Sequence, residues 1–416
     1  MKTRTTNRSV LSIVVLVYLV LLTGSLFAAG GAEAGKTAGG KVKLSFLSHT
    51  YEPWNKKLQA QADAFMAANP NVTIEYSYVM HADLFAKIIS ALQAGTAANV
   101  MGVYGPWMTK LVNGGYLSTA PRAVSDDIKA NYAPFGIDAV TYNNKFYGTI
   151  QHIGIIASVV NPDFFKNLGE EIPDTWSGYA ALADKHVELK DSVVAALEPA
   201  GDSLVMQWES LLASFGGQML SKDLSKVTFN SPIGIQATKT YLKLSNPAFI
   251  GTDEVSAFGL GKAGMVVDGP WARTFYEQSE AIKKFYTSIP PKEKERKIAS
   301  YVWNWVVNSA APAEVQKASW DFVQYLSNDE NYLDMAKTIG FVPFRKANIS
   351  ALSSDPWIKG FADTTAYAFV YYPRLENWEE LETLLRRELE RAIAREIPVE
   401  EALANAEAAI NKRLKK

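Results

Sequence analysis

The chain has 416 residues, 48% hydrophobic and 20% charged, with a formal net charge of −1 and no cysteine. A charge this close to neutral gives no reason to expect a nucleic-acid or anionic-membrane partner, and a chain this long is expected to form about two cores. Without cysteine there are no disulfides and no lipid attachment through an N-terminal cysteine, so packing alone must hold the fold. The 10 Trp leave two readings open, an ordinary large core or flat surfaces that stack on a ligand.

Lys2, Arg4 and Arg8 precede an apolar run over 10–22, and Ala32-Glu33-Ala34 forms an A-x-A site, with Gly30-Gly31-Ala32 as a second choice. This pattern predicts a cleavable signal peptide over 1–34 and a periplasmic protein, the alternative being an uncleaved anchor. The stretch "GAEAGKTAGG" reads as a flexible leader before the fold. Alternation predicts a strand over 41–49. Leu58, Ala62, Phe65 and Met66 then predict a helix that stops at Asn69-Pro70. "VTIEYSYV" is a second strand, "ADLFAKIISALQAGTA" a helix, and "NVMGVY" a third strand leading into "GPW". After residue 155 the same rhythm resumes with "GIIASVV", "NPDFFKNLG" and "TWSGYAALADKHVEL", and it continues through "GKAGMVVDG" and "YVWNWVVNS". Strands alternating with helices predict mainly parallel sheets flanked by helices. In the tail, Trp378, Leu381, Leu385, Leu389 and Ala392 form one helical stripe. Ala402, Ala406, Ala409 and Ile410 form another after Pro398. Each stripe spans only two or three heptads, so both helices are expected on the chain's own core and the protein is expected to be a monomer.

Catalytic and cofactor motifs are absent or misplaced. Gly259-Leu-Gly261-Lys-Ala-Gly264 spells G-x-G-x-x-G, but a helix-like "DEVSAFGLG" precedes it and a strand follows, the reverse of a dinucleotide site. Gly201-Asp202-Ser203-Leu204 has no strand just before it and no late Asp-x-x-His. The four His (His49, His81, His152, His186) lie in no zinc motif. No assembled nucleophile, base and oxyanion set can be read. The expectation is therefore no catalysis, no cofactor and no metal.

The most specific stretch is "FGLGKAGMVVDGPW", in which a buried strand stops at Gly269-Pro270 and Trp271 follows at once. It is similar to the "FxxGKAAMxxxGPW" segment of the extracellular solute-binding proteins of ATP-driven importers, in the sugar-binding cluster that includes maltose-binding protein. "FMAANPNVTIEY", "LFAKIISALQAGTAANVM", "NGGYLSTAP" and "NKFYGTIQHIGIIASVVNPDFFKNLGEEIPDTW" resemble other parts of that family in the same order. "YVWNWVVNS" departs from it, with two Trp where small residues and Gly are usual. The resemblance implies a two-lobe α/β fold, the type II periplasmic-binding-protein fold, with a hinge of about three crossing strands. It implies lobe 1 over 41–150 and 303–341 and lobe 2 over 155–299 and 347–416. It further implies a carbohydrate clamped between closing lobes, and membrane permease subunits as partners.

In open α/β sheets ligands sit beyond the C-terminal strand ends. That rule, with the resemblance, selects Tyr51, Glu52, Trp54, Tyr104 and Trp107 from the first lobe and Gln151 and His152 from the hinge. Trp208, Asp268 and Trp271 come from the second lobe. Trp303 and Trp305 are expected on one strand face, with Arg374 and Trp378 near the tail helix. Trp176, Trp320 and Trp357 read as packing residues. Two alternatives stay open: a polyol, glycerol phosphate or peptide ligand on the same fold, and a secreted glycoside hydrolase pairing Glu52 with Asp268.

Overall fold

The computed structural model describes residues 40–189, 191–245, 257–282, 284–352 and 354–414. The signal-peptide reading over 1–34 and residues 253–256 of "DEVSAFGLG" lie outside them, and Ala257–Gly261 is a turn rather than a helix.

β1 (Val42–His49) leads through Thr50 and Tyr51 into α1 (Glu52–Ala68). Pro53 sits in the first turn of α1, where its missing N–H would have no helical partner, and the helix buries Trp54, Leu58, Ala62 and Phe65. β2 (Val72–Val79), α2 (His81–Gln93) and β3 (Val100–Tyr104) complete the βαβ rhythm. A short antiparallel pair, β4 (Thr141–Tyr142) and β5 (Lys145–Phe146), precedes β6 (Thr149–Ile155). After the single residue Ile156 comes β7 (Ala157–Val160), so one stretch of chain serves two sheets. Next come α3 (Asp202–Ser214), β8 (Met265–Asp268), β9 (Tyr286–Ser288) and β10 (Ile298–Val307). The remaining labelled elements are α4 (Ala313–Leu326), α5 (Asp329–Ile339), α6 (Pro356–Thr364), β11 (Ala368–Val370), α7 (Trp378–Ile393) and α8 (Val399–Leu414).

The first sheet runs β11-β10-β3-β1-β2, with β6 also on β10. β1 is parallel to β2 and β3, whereas β10 runs antiparallel to β3 and β6. The second sheet, β8-β7-β9, is antiparallel throughout its named strands. Its parallel part is reduced to single bridges, Val193 to Ala263 and Ala196 to Val266. This differs from the expected parallel second sheet, because β7 continues straight from β6 and has no helical crossover to reverse it.

Three passages join the sheets. β6 runs into β7, and β10 returns from the second sheet. Beyond α5, Val342 bridges to Ile153 before α6 docks on β9, where the Thr287 hydroxyl donates to the Trp357 carbonyl at 2.7 Å. β11, from the 347–416 stretch, pairs with β10 in the first sheet. The tail helices pack on each other through buried Leu381, Leu385, Leu389, Ala402, Ala406 and Ile410. Trp176, Trp320 and Trp357 are buried. Among the described residues no helix is long and apolar enough to cross a membrane.

Candidate functional site

A cavity of about 370 Å3 opens between the two sheets. From the first sheet come His49 at the end of β1, then Thr50 and Tyr51, His81 at the start of α2, and Tyr104 at the end of β3. The crossing segments supply His152, Tyr301, Trp303, Phe341 and Tyr371. The second side supplies Ser203 and Met206 from α3, and Trp271. His49, Tyr104, His81 and Ser203 stand at strand ends or helix starts, whereas His152, Tyr301 and Trp303 come from the middle of the crossing strands β6 and β10.

Register explains the central row. Trp303 on β10 pairs with His152 on β6 and with Tyr104 on β3, so the three side chains stand side by side. The Trp303 ring lies 4.4 Å from the His49 ring and 5.4 Å from Tyr104, centroid to centroid. His152 stacks on Phe341 at 4.2 Å with an interplanar angle of 4°. Tyr301 pairs with Gly154, and a Cβ at that glycine would lie 2.0 Å from the tyrosine ring. Only glycine lets Tyr301 lie across β6 as a wall. The Tyr104 and Tyr371 hydroxyls share a hydrogen bond of 2.9 Å, and the Tyr371 hydroxyl donates to Glu382 at 3.1 Å.

None of the described wall residues carries a carboxylate, ammonium or guanidinium. Burial, reinforced by His81, pushes the His49 imidazole down to about 4. Burial, reinforced by His49, holds His152 well below its ordinary value. Both rings are therefore neutral at neutral pH, and the Nδ1 atom of each is buried without a hydrogen-bond partner among the described residues. The walls combine aromatic faces with neutral donors and acceptors, a chemistry suited to an uncharged ligand with apolar faces and hydroxyl edges.

Of the residues selected from sequence, Tyr51, Tyr104, His152, Trp271 and Trp303 line the cavity. The others do not. Glu52 faces the exterior, 2.6 Å from Lys56, because it occupies the first turn of α1 rather than the loop before it. Trp54 lies on the core side of α1, stacked on Trp305 at 6.2 Å. Trp305 itself packs against Phe46 at 5.1 Å, so the two β10 tryptophans do not share an environment. The ladder between β6 and β10 slips by one residue between Trp303 and Asn304, leaving Gln151 without a partner in it. Gln151 is buried and donates to Ser48 instead, at 3.4 Å. Trp107 is buried beneath His81 and Phe85, and its indole donates to Glu379. Trp208 is a core residue of the second side, its indole N–H on Thr238 at 2.9 Å. Trp378 is fully buried against Tyr371. Arg374 reaches away to the Asp138 and Thr141 carbonyls and lies over the Tyr142 ring at 4.6 Å. Asp268 is buried under the Trp271 corner and takes a hydrogen bond from Tyr276. Since neither Glu52 nor Asp268 lines the cavity, the hydrolase pairing loses both of its carboxylates.

Eight wall residues escaped the sequence reading. His49 and His81 had the same signal as Tyr104, a polar or aromatic residue at a strand end or helix start. Tyr301 alternates with Trp303. Thr50, Ser203, Met206, Phe341 and Tyr371 carry no local signal and reach the cavity through tertiary packing.

Residues 60–360 match the family described as bacterial extracellular solute-binding protein. The maltotriose-binding protein of Pyrococcus abyssi is 23% identical over 350 residues, covering 82% of this chain and 74% of the relative. An ABC substrate-binding protein from Listeria monocytogenes, solved in complex with cycloalternan, superposes with a TM-score of 0.78 at 19% identity. That match covers 90% of this chain and 99% of the other. The maltotriose-binding protein of Thermus thermophilus gives 0.72 at 20% identity, covering 89% and 100%.

Proposed function

Because the chain belongs to the bacterial extracellular solute-binding family, we propose that it is a periplasmic receptor that delivers a carbohydrate to an ATP-driven membrane importer. The observation that carries this reading is the aromatic cavity, whose described walls hold no carboxylate, ammonium or guanidinium and come from both sheets and from the passages between them. A sugar offers C–H faces to Trp271, Trp303 and the tyrosines, and hydroxyls to the neutral imidazoles, Thr50 and Ser203. The maltotriose-binding relatives and the cycloalternan complex support the same ligand class. An anionic glycerol phosphate would meet no guanidinium or ammonium on the described walls. The two sheets with their helices act as lobes, residues 1–34 act as the export signal, and binding free energy shifts an open–closed equilibrium that the permease reads. The receptor works as a monomer and leaves its sugar chemically unchanged.

The test is a thermal-shift screen of the mature protein against maltose, maltotriose, a cyclic oligosaccharide and glycerol 3-phosphate, followed by analysis of the recovered sugar. A ligand that binds the native state raises Tm by mass action. A neutral saccharide that raises Tm and is recovered intact supports the receptor reading. A shift with glycerol phosphate alone, or hydrolysed sugar, overturns it.

A further inference from the structure

A second cavity, of about 400 Å3, shares Tyr371 with the first. One face of α3 serves both. Ser203 and Met206 line the first cavity, and Glu209 and Ala213, further along at helical spacing, line the second. Phe369 on β11 and Tyr371 just after it add two aromatic rings, and Met219 comes from the turn that follows α3. Glu209 is the wall residue that core packing does not explain. It is 7% exposed, and its Oε2 atom is buried with no hydrogen-bond partner among the described residues. Buried carboxylates are ordinarily paired with a cation. Here the charged group that acts on Glu209 is another carboxylate, Glu382 on α7, which itself accepts the Tyr371 hydroxyl at 3.1 Å. The other charged wall residues, Glu295 and Lys297, pair with each other at 3.6 Å.

We propose that this cavity is a second binding site, and that it takes a small organic cation whose primary ammonium donates to Glu209 while its alkyl body lies against Leu212, Met219 and Phe369. The site stands apart from the sugar site in its ligand and in every wall residue except Tyr371. An anion would meet Glu209 and Glu382, and an apolar ligand would leave the carboxylate unpaired. A bare Ca2+ or Mg2+ would find one carboxylate among largely apolar walls, too few oxygens for such an ion. An alkylammonium matches both features, since it brings a charge that the aromatic faces of Phe369 and Tyr371 also attract. Burial, reinforced by Glu382, holds the Glu209 carboxyl well above the ordinary carboxylate range. The entering ammonium therefore competes with a proton, and its affinity rises with pH while Glu209 titrates. The titratable and charged groups facing Glu209 are Glu382 from α7, Tyr371 from the segment after β11, and Glu295 and Lys297 from the segment ahead of β10.

The experiment places a reporter in each cavity. In protein labelled with carbon-13 at the methionine methyl groups, Met206 reports on the first cavity and Met219 on the second. Their resonances are assigned by loss in Met206→Leu and Met219→Leu. Titration of the sugar-free protein with n-butylammonium chloride should move the Met219 resonance to saturation and leave Met206 in place. n-Butanol, the same body without the charge, should bind about tenfold more weakly, as for loss of a charge-assisted hydrogen bond. Butylammonium affinity should rise from pH 6 to pH 8. Glu209→Gln should remove both the preference over butanol and the pH dependence. Ala213→Leu fills the cavity and keeps the carboxylate, and it should abolish the Met219 response to both probes. Maltotriose should still move Met206 in either variant. A Met219 resonance that ignores butylammonium overturns the proposal, as does a response at Met206 alone. Equal affinity for butanol, or a preference that survives Glu209→Gln, leaves an apolar crevice and overturns it too. If butylammonium binds only after Lys297→Gln, Lys297 is the carboxylate's own partner and the proposal falls. If maltotriose fails to move Met206 while butylammonium moves Met219, the receptor reading falls and this site stands.

Discussion

The sequence offers both Trp271 and Trp378 as ligand-stacking candidates, and the fold separates them. Trp271 is partly buried at the cavity wall, whereas Trp378 is 0% exposed under Tyr371. Trp271→Ala should weaken sugar binding by roughly 2–4 kcal/mol, as for an aromatic hot spot. Trp378→Ala should cost about 3–5 kcal/mol of stability, as for a core aromatic. Calorimetry and denaturant melts of the two variants check the contrast, and reversed outcomes would reverse the assignment. Two buried titratable groups have opposite effects on the pH dependence of stability. Burial lowers His49 from its ordinary 6.5 to about 4, so between those values the unfolded chain holds the extra proton and stability rises with pH. Burial raises Asp268 from 3.8 to about 7, so there the folded state holds the extra proton and stability falls as pH rises through that window. Asp268→Asn should remove the falling contribution and leave the fold relatively more stable above pH 7. His49→Asn should remove the acid-side loss. Melting temperatures from pH 4 to pH 8 would show both, and unchanged slopes would contradict the assigned environments.

At the scale of elements, the third passage between the sheets is fixed by one buried cation. Arg345 forms paired hydrogen bonds to both Asp127 oxygens at 2.9 Å, donates to the Ser327 carbonyl at 2.9 Å, and reaches Asp329. Its guanidinium also lies 5.5 Å from the Tyr132 ring centre. It ties the helix Arg122–Asn131 and the start of α5 to the strand-like segment after Val342. Arg345→Ala strands Asp127 partly buried, and a loss of about 3–5 kcal/mol is expected. Denaturant unfolding measures it, and a change below 1 kcal/mol would mean that packing alone holds this crossing. Gly269 is the second sensitive point. Gly269→Ala drives a methyl group into the Trp271 ring, so weaker binding with a nearly unchanged melting temperature is expected.

For the whole molecule, three passages between the sheets restrict relative motion to a hinge rather than free tumbling of lobes. The cavity walls come from both sides, so in the proposed closing mechanism a ligand completes its contacts when the sides approach. A shift from 1:99 to 99:1 in favour of the closed form needs about 5.5 kcal/mol of differential affinity. A saturating concentration of the sugar found by thermal shift should reduce the radius of gyration in solution scattering. In Trp271→Ala the unliganded curve should stay the same, with compaction only at higher ligand concentration. Identical curves with and without bound sugar would leave a rigid binder in place of a closing one.

The sequence by itself determined the alternation of strands and helices, the family, the strand ends after which Tyr104 and Trp271 emerge, and the strands that carry His152 and Trp303. These follow from hydrophobic period, Gly and Pro punctuation and a motif in which strand, turn and aromatic are contiguous. Tertiary structure decided which aromatics face the cavity. Trp54, Trp208 and Trp378 sit on helices whose inward faces pack on a core, and a tryptophan on an apolar stripe looks the same in sequence whichever surface it meets. Trp305 parted from Trp303 because each of the two rings meets a different set of side chains, a matter of sheet packing that the period of two does not encode. Phe341 and Tyr371 reach the wall from segments far apart in sequence. Asp268 lies close to Trp271 in the chain, yet its burial and the hydrogen bond it takes from Tyr276 are supplied only when the corner folds back on itself.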